Sequence, residues 1–100
     1  MLNEYIIIKD YCESCHVEPD FVFMLGEDGL IDVSVVDELS CFPVAQLPEV
    51  ERYAHLYYDL SINMEGLGAV QHLLSQIDEL QNEVRKLQNE LRFYRSFERE

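Results

Sequence analysis

Ile8-Lys9-Asp10-Tyr11-Cys12-Glu13-Ser14-Cys15-His16-Val17-Glu18-Pro19-Asp20-Phe21-Val22-Phe23-Met24-Leu25 is the stretch that decides the fold. Ile8, Tyr11, Cys12 and Cys15 recur at i, i+3, i+4 and i+7, which places them on one face of a short helix. His16-Val17 breaks that period. Pro19 suits the first turn of a second helix, where its missing N–H costs little, and Phe21, Val22 and Leu25 then face inward together. Gly26 to Gly29 ends the second helix. Two short helices joined by a turn of a few residues read as a helix-turn-helix.

Upstream, the bulky Tyr5, Ile6, Ile7 and Ile8 form either a short strand or the lead-in to the first helix. Downstream, Leu30 to Val36 alternates Ile31, Val33 and Val35 against Asp32 and Ser34, as a half-buried strand does. Leu39 to Val44 is a weaker strand that Pro43 would confine to an edge, and Asp37-Glu38 is the turn of the resulting β-hairpin. After Pro48 the helical period returns, with Val50, Tyr53, Ala54 and Tyr57 inward and Glu51, His55 and Asp59 on the opposite stripe. Ser61 and Asn63 interrupt it. Asn63 is placed to cap a final helix, with Glu65 in its first turn. Helix-turn-helix, hairpin, helix and long helix is a winged-helix order, mainly α with a small β-hairpin.

The final helix carries a heptad. Val70, Leu73, Ile77, Leu80, Val84, Leu87, Leu91 and Tyr94 are spaced 3, 4, 3, 4, 3, 4, 3, with the β-branched residues mostly at a and leucines mostly at d, a pattern that favours two-stranded pairing. Such a seam is about 37 Å long. The chain is expected to divide into a head, residues 1–66, and a coiled-coil helix, residues 67–100, through which it forms a homodimer.

Charge separates the same two parts. Residues 1–66 hold Lys9 and Arg52 against fourteen Asp or Glu, a formal charge of −12, whereas residues 67–100 hold five basic and six acidic residues. An acidic head repels nucleic acid and anionic lipid and attracts basic proteins. A DNA-reading helix exposes Arg, Lys, Asn, Gln or Ser to a groove lined with phosphates; here the second helix and its flanks carry Glu18, Asp20, Glu27 and Asp28. Direct nucleic-acid binding is therefore not expected. With no run of about eighteen apolar residues and no secretory-type leader, neither is membrane insertion. Three cysteines, an odd number, fit a reducing, cytoplasmic setting better than a disulfide scaffold.

Cys12-Glu13-Ser14-Cys15-His16 has the spacing of a c-type haem attachment string. Haem attachment normally follows export, and the string lies on an apolar helical face that the core needs. Zinc ligation by Cys12, Cys15 and His16 with Cys41 lacks the second well-separated ligand pair of structural sites, so buried thiols are the expectation, with no metal and no cofactor. His16, His55 and His72 are scattered, and Gly66-Leu67-Gly68 lacks the context of a dinucleotide turn. No catalytic constellation is present, and enzymatic activity is not expected.

Tyr57-Tyr58-Asp59-Leu60-Ser61-Ile62-Asn63-Met64-Glu65-Gly66-Leu67-Gly68-Ala69-Val70, continuing through Leu73-Leu74, Ile77 and Leu80, resembles a block of the small bacterial CbpM-type chaperone modulators, in which "DL-x-(I/L)-x-x-x-G" leads into a long terminal helix. The two N-terminal helices resemble the MerR-like head of that family more loosely. The resemblance implies a MerR-like winged helix-turn-helix followed by a coiled coil, and a partner: a J-domain co-chaperone of the curved-DNA-binding type, which stimulates a chaperone ATPase and is inhibited when its J domain is occupied. J domains engage that ATPase through a basic helix, for which an acidic surface would compete. The stripe Glu51, His55 and Asp59, with Glu49 beside it, is the candidate contact surface. The alternatives are a MerR-like DNA-binding transcriptional regulator and a coiled-coil adaptor. The head departs from the parent MerR class in lacking basic residues, and the coil's end lacks a metal-sensing cysteine pattern.

Overall fold

The computed structural model describes residues 4–98. Strand β1 (Tyr5–Ile7) runs directly into helix α1 (Ile8–Cys15), so the bulky segment at the start is a strand and the open choice resolves. Helix α1 buries Ile8, Tyr11 and Cys12. It stops at Cys15 because His16 turns left-handed (φ 56°), and the N–H groups of His16 and Val17 both return to the Cys12 carbonyl. Val17 then folds into the core, the apolar contact that commonly accompanies such a helix end. Helix α2 (Pro19–Glu27) follows with proline in its first turn and Phe21, Val22 and Leu25 buried.

The sheet corrects the expected hairpin in three respects. It has three antiparallel strands in the order β1-β3-β2, with β2 spanning Ser34–Val36 and β3 Leu39–Pro43. The strand containing Pro43 is central rather than at an edge: proline is its last residue, opposite Tyr5, and it leaves the register of Cys41 and Phe42 intact. Nor does the alternation of residues 30 to 36 hold through Val35, which is 68% exposed. Residues 30–33 are not strand. Ile31 is buried from a loop that Gln46 holds on both sides, accepting from the Asp32 N–H at 2.8 Å and donating to Asp32 Oδ2 at 3.0 Å. Pairing begins at Ser34, opposite Cys41, and continues through Val35, opposite Ser40; Ser34 and Val35 are both exposed on this short edge strand. Asp37 and Glu38 form the two-residue turn with φ of 51° and 67°, the left-handed pair that a tight hairpin requires.

A short 3-10 turn (Val44–Gln46) leads to helix α3 (Leu47–Ala54), which buries Val50 and Tyr53 as its period requires. It then widens into a π-helical turn at His55–Asp59, where the Leu60 N–H reaches the His55 carbonyl at 3.3 Å. Helix α4 spans Met64–Glu98. Asn63 caps it as expected, its Oδ1 accepting from the Gly66 N–H at 2.8 Å. Gly66 is required by close approach: a Cβ there would lie 2.6 Å from Ile62 Cγ2.

The chain divides into two compact units, Met1–Gly68 and Ala69–Glu100. Leu67 is wholly buried in the core cluster of the first unit, with Val50, Phe21 and Leu25, so the head reaches slightly past residue 66. The second unit is helix throughout its described residues, and no helix among them is long and apolar enough to cross a membrane.

Candidate protein-binding site

The residues of the predicted contact stripe do not all meet. Glu51 on α3 and His55 and Asp59 on the π-helical turn line one open cleft together with Tyr11, Cys15, His16, Val17, Ala54 and Tyr58. Glu49, in the first turn of α3, does not line it; it lies near Tyr53, whose phenol is pushed up by burial and further by Glu49, with Arg52 opposing. The His55 ring donates from Nδ1 to Asp59 Oδ2 at 2.7 Å, a pair whose side chains are both largely exposed. Such a surface pair adds little stability; its consequence is to set where the Asp59 carboxylate sits.

The π-helical turn shapes the cleft. One extra residue in the turn brings Tyr57 and Tyr58 into contact with each other (ring centroids 5.1 Å) and both against Phe21 of α2 (4.7 and 5.3 Å). The Tyr58 hydroxyl accepts from the Glu18 N–H at 3.2 Å, fixing the turn to the start of α2. On the other wall, the Tyr11 ring stands edge-on to Phe42 at 5.7 Å. Burial, with smaller pushes from Cys15, Glu51 and Cys12, raises the Tyr11 phenol to about 12, so it remains a neutral hydroxyl. Tyr11, His16 and Tyr58 were not singled out as site residues by the sequence. Tyr11 reads there as a core position, and nothing in the helical period announces a widened turn at residue 55.

The cysteine string does not assemble into a ligand set. Cys12 is buried, which pushes its thiol upward, whereas Cys15 is exposed, contrary to the inward face expected of it, because α1 ends there and His16 has already left the helix. Cys41 is buried against Ser34, its thiol 3.6 Å from the Ser34 carbonyl oxygen. Among the described residues no cluster of three or more His, Cys, Asp or Glu is arranged to hold a metal.

The solvent face of α2, which in a DNA-reading helix-turn-helix would meet the groove, carries Asp20, Phe23 and Glu27, preceded by exposed Glu18. In the second unit, Leu73, Ile77, Leu80, Val84, Leu87, Leu91 and Tyr94 are 47% to 64% exposed on one unbroken helix, and Val70 is half-buried. Phe93 and Phe97 add apolar surface off the seam, packed ring to ring at 4.8 Å.

Comparison with known proteins agrees with this arrangement. The family of MerR HTH family regulatory proteins matches residues 6–89, from β1 well into α4. No curated protein and no solved structure matches the chain. With the helix-turn-helix, nearly all of the three-stranded sheet and most of the long terminal helix inside the matched span, the chain belongs to the MerR helix-turn-helix family of regulatory proteins.

Proposed function

We propose that this MerR-family chain regulates by binding a basic protein rather than DNA, and that the protein is the J domain of a co-chaperone, whose activity it inhibits. The observation that carries the reading is the surface of α2: Glu18, Asp20, Phe23 and Glu27 stand where a DNA-reading relative needs cations, and no Lys or Arg occurs between Lys9 and Arg52. Carboxylates on that face meet phosphates of like charge, while most of the non-specific affinity for DNA comes from neutralising phosphates. An exposed aromatic ring among carboxylates suits a basic protein surface instead. The J domain is the partner implied by the resemblance of residues 57–80 to the CbpM-type modulators, and its basic helix has the complementary sign. A head of formal charge −12 would steer such a partner, giving fast, salt-sensitive association.

The exposed heptad of α4 supports a second copy as the partner of the tail, since β-branched a and leucine d positions favour two strands. Family membership alone favours a second reading, a DNA-binding transcriptional regulator. The two separate in one experiment: the full chain is titrated with a J domain and, in parallel, with duplex DNA at low and moderate salt. Binding of the J domain with inhibition of co-chaperone-stimulated ATP hydrolysis supports the first reading; a salt-dependent complex with duplex DNA and none with the J domain supports the second.

A further inference from the structure

We propose that the cleft between the end of α1 and the π-helical turn is a receptor for a single cationic side chain, arginine or lysine, presented by the basic protein that the head engages. The inference rests on that reading of function and goes beyond it by assigning a place and a chemistry.

The first observation is Tyr11. It is only 8% exposed and lines the cleft, yet its hydroxyl has no hydrogen-bond partner among the described residues. No side-chain N or O atom among them is both fully enclosed and unsatisfied, so the hydroxyl of this cleft-lining residue keeps contact with solvent. A partner that covers the cleft displaces that water, and covering the hydroxyl is costly unless the partner supplies a hydrogen bond in its place. The second observation is charge. Glu51 lies close enough to Tyr11 to raise its phenol, and Asp59, fixed by His55, lines the same cleft. The third is the ring of Tyr58, 42% exposed and immobilised by Phe21, Tyr57 and the Glu18 N–H. A hydroxyl that can accept, two carboxylates that only accept and an aromatic ring together match a group that carries several N–H donors and positive charge. A carboxylate or phosphate would meet Glu51 and Asp59 unfavourably, and an apolar side chain would leave the Tyr11 hydroxyl unsatisfied. Because the rings and the His55–Asp59 pair are already in place, little ordering is needed on binding.

The test uses N-acetyl-arginine methylamide as probe and its neutral counterpart N-acetyl-citrulline methylamide as control, titrated into the full chain and followed by amide NMR. The arginine probe is expected to shift the amides of residues 11, 16, 51 and 58 selectively and the citrulline probe not to. Tyr11→Phe, which keeps the ring contact with Phe42, and Glu51→Gln, at an exposed position, should each weaken the probe about fivefold to tenfold, while Glu38→Gln at the hairpin tip leaves it unchanged. Equal response to both probes, no response, or unchanged affinity in both cleft variants overturns the assignment. The same variants are then measured against the J domain. A matching loss supports the cleft as the docking point, and undiminished binding by both variants refutes it. A wild-type chain that takes the arginine probe in the cleft but no J domain leaves the receptor standing and sinks the J-domain reading.

Discussion

Replacing Gly66 by alanine is expected to destabilise the head, although the same replacement two residues on should stabilise it. Both glycines lie within the first two turns of α4, where alanine gains up to about 1 kcal/mol of helix propensity over glycine. At Gly68 nothing lies within 4 Å of the added methyl, so Gly68→Ala should raise the melting temperature by roughly 4–8 °C, the shift that about 1 kcal/mol gives in a domain of this size. At Gly66 the methyl would sit 2.6 Å from Ile62 Cγ2 and 3.2 Å from Asn63 Oδ1. A branched methyl next to the backbone moves little. Overpacking of that kind costs about 1–3 kcal/mol, and crowding of the Asn63 cap adds to it. The net expectation is a loss on the order of 1 kcal/mol. Ile62→Ala removes the clashing carbon, so Gly66→Ala made in that background should change sign and stabilise. The four proteins of the cycle, compared by thermal unfolding followed by circular dichroism, give the coupling directly. Equal stabilisation by Gly66→Ala and Gly68→Ala, or a Gly66→Ala cost that persists without Ile62, would refute the packing argument. The Ile62–Gly66 approach is also a physical reason for the isoleucine-to-glycine spacing in the motif preceding the tail.

Three further outcomes are expected. Glu38→Gly should stabilise the head by about 0.5–1 kcal/mol, because the left-handed conformation costs a side chain more than glycine's extra chain entropy offsets; Glu13→Gly, in exposed helix, should instead cost about 1 kcal/mol on thermal unfolding. Stability should fall as pH rises from 10 toward 12, since unfolded tyrosines lose their protons near 10 while Tyr11 keeps its own to about 12. Denaturant titrations should find that fall smaller in Tyr11→Phe, and Tyr53, also raised, retains the remainder. Finally, the full chain is expected to sediment as a dimer in analytical ultracentrifugation, and Ile77→Asp with Val84→Asp, which place charge in the exposed seam, to sediment as a monomer; a monomeric wild-type chain would refute pairing through the seam.

The helix-turn-helix was legible because its two helices show their period within eighteen residues and carry a proline at one start and a break at one end. Asn63 and the 3-4 spacing of the tail were equally local signals. The position of β3 was not. Pro43 argues for an edge when taken alone, and only the pairing of Tyr5–Ile7 with Cys41–Pro43, across more than thirty residues, makes that strand central. Val35 misled for a related reason: its alternation is real in sequence, but residues 30–33, held by the Asp32–Gln46 bonds, stay out of the ladder, and in the three-residue edge strand that remains Ser34 and Val35 are both exposed. At the site, the charges of Glu51, His55 and Asp59 could be read from a helical wheel. Their meeting with Tyr11 and Tyr58 depends on how α1 packs near the widened turn, and no residue type signals a π-helical turn in advance.

The central claim is that an acidic head has turned this helix-turn-helix toward a basic protein. Its most direct measurement is the affinity of the full chain for a J domain and for duplex DNA, each followed against salt concentration in the same buffer. The expected result is a J-domain complex whose affinity falls as salt rises, with no duplex complex at any salt; a duplex complex that dissociates with salt, beside a J domain that does not bind, would contradict it.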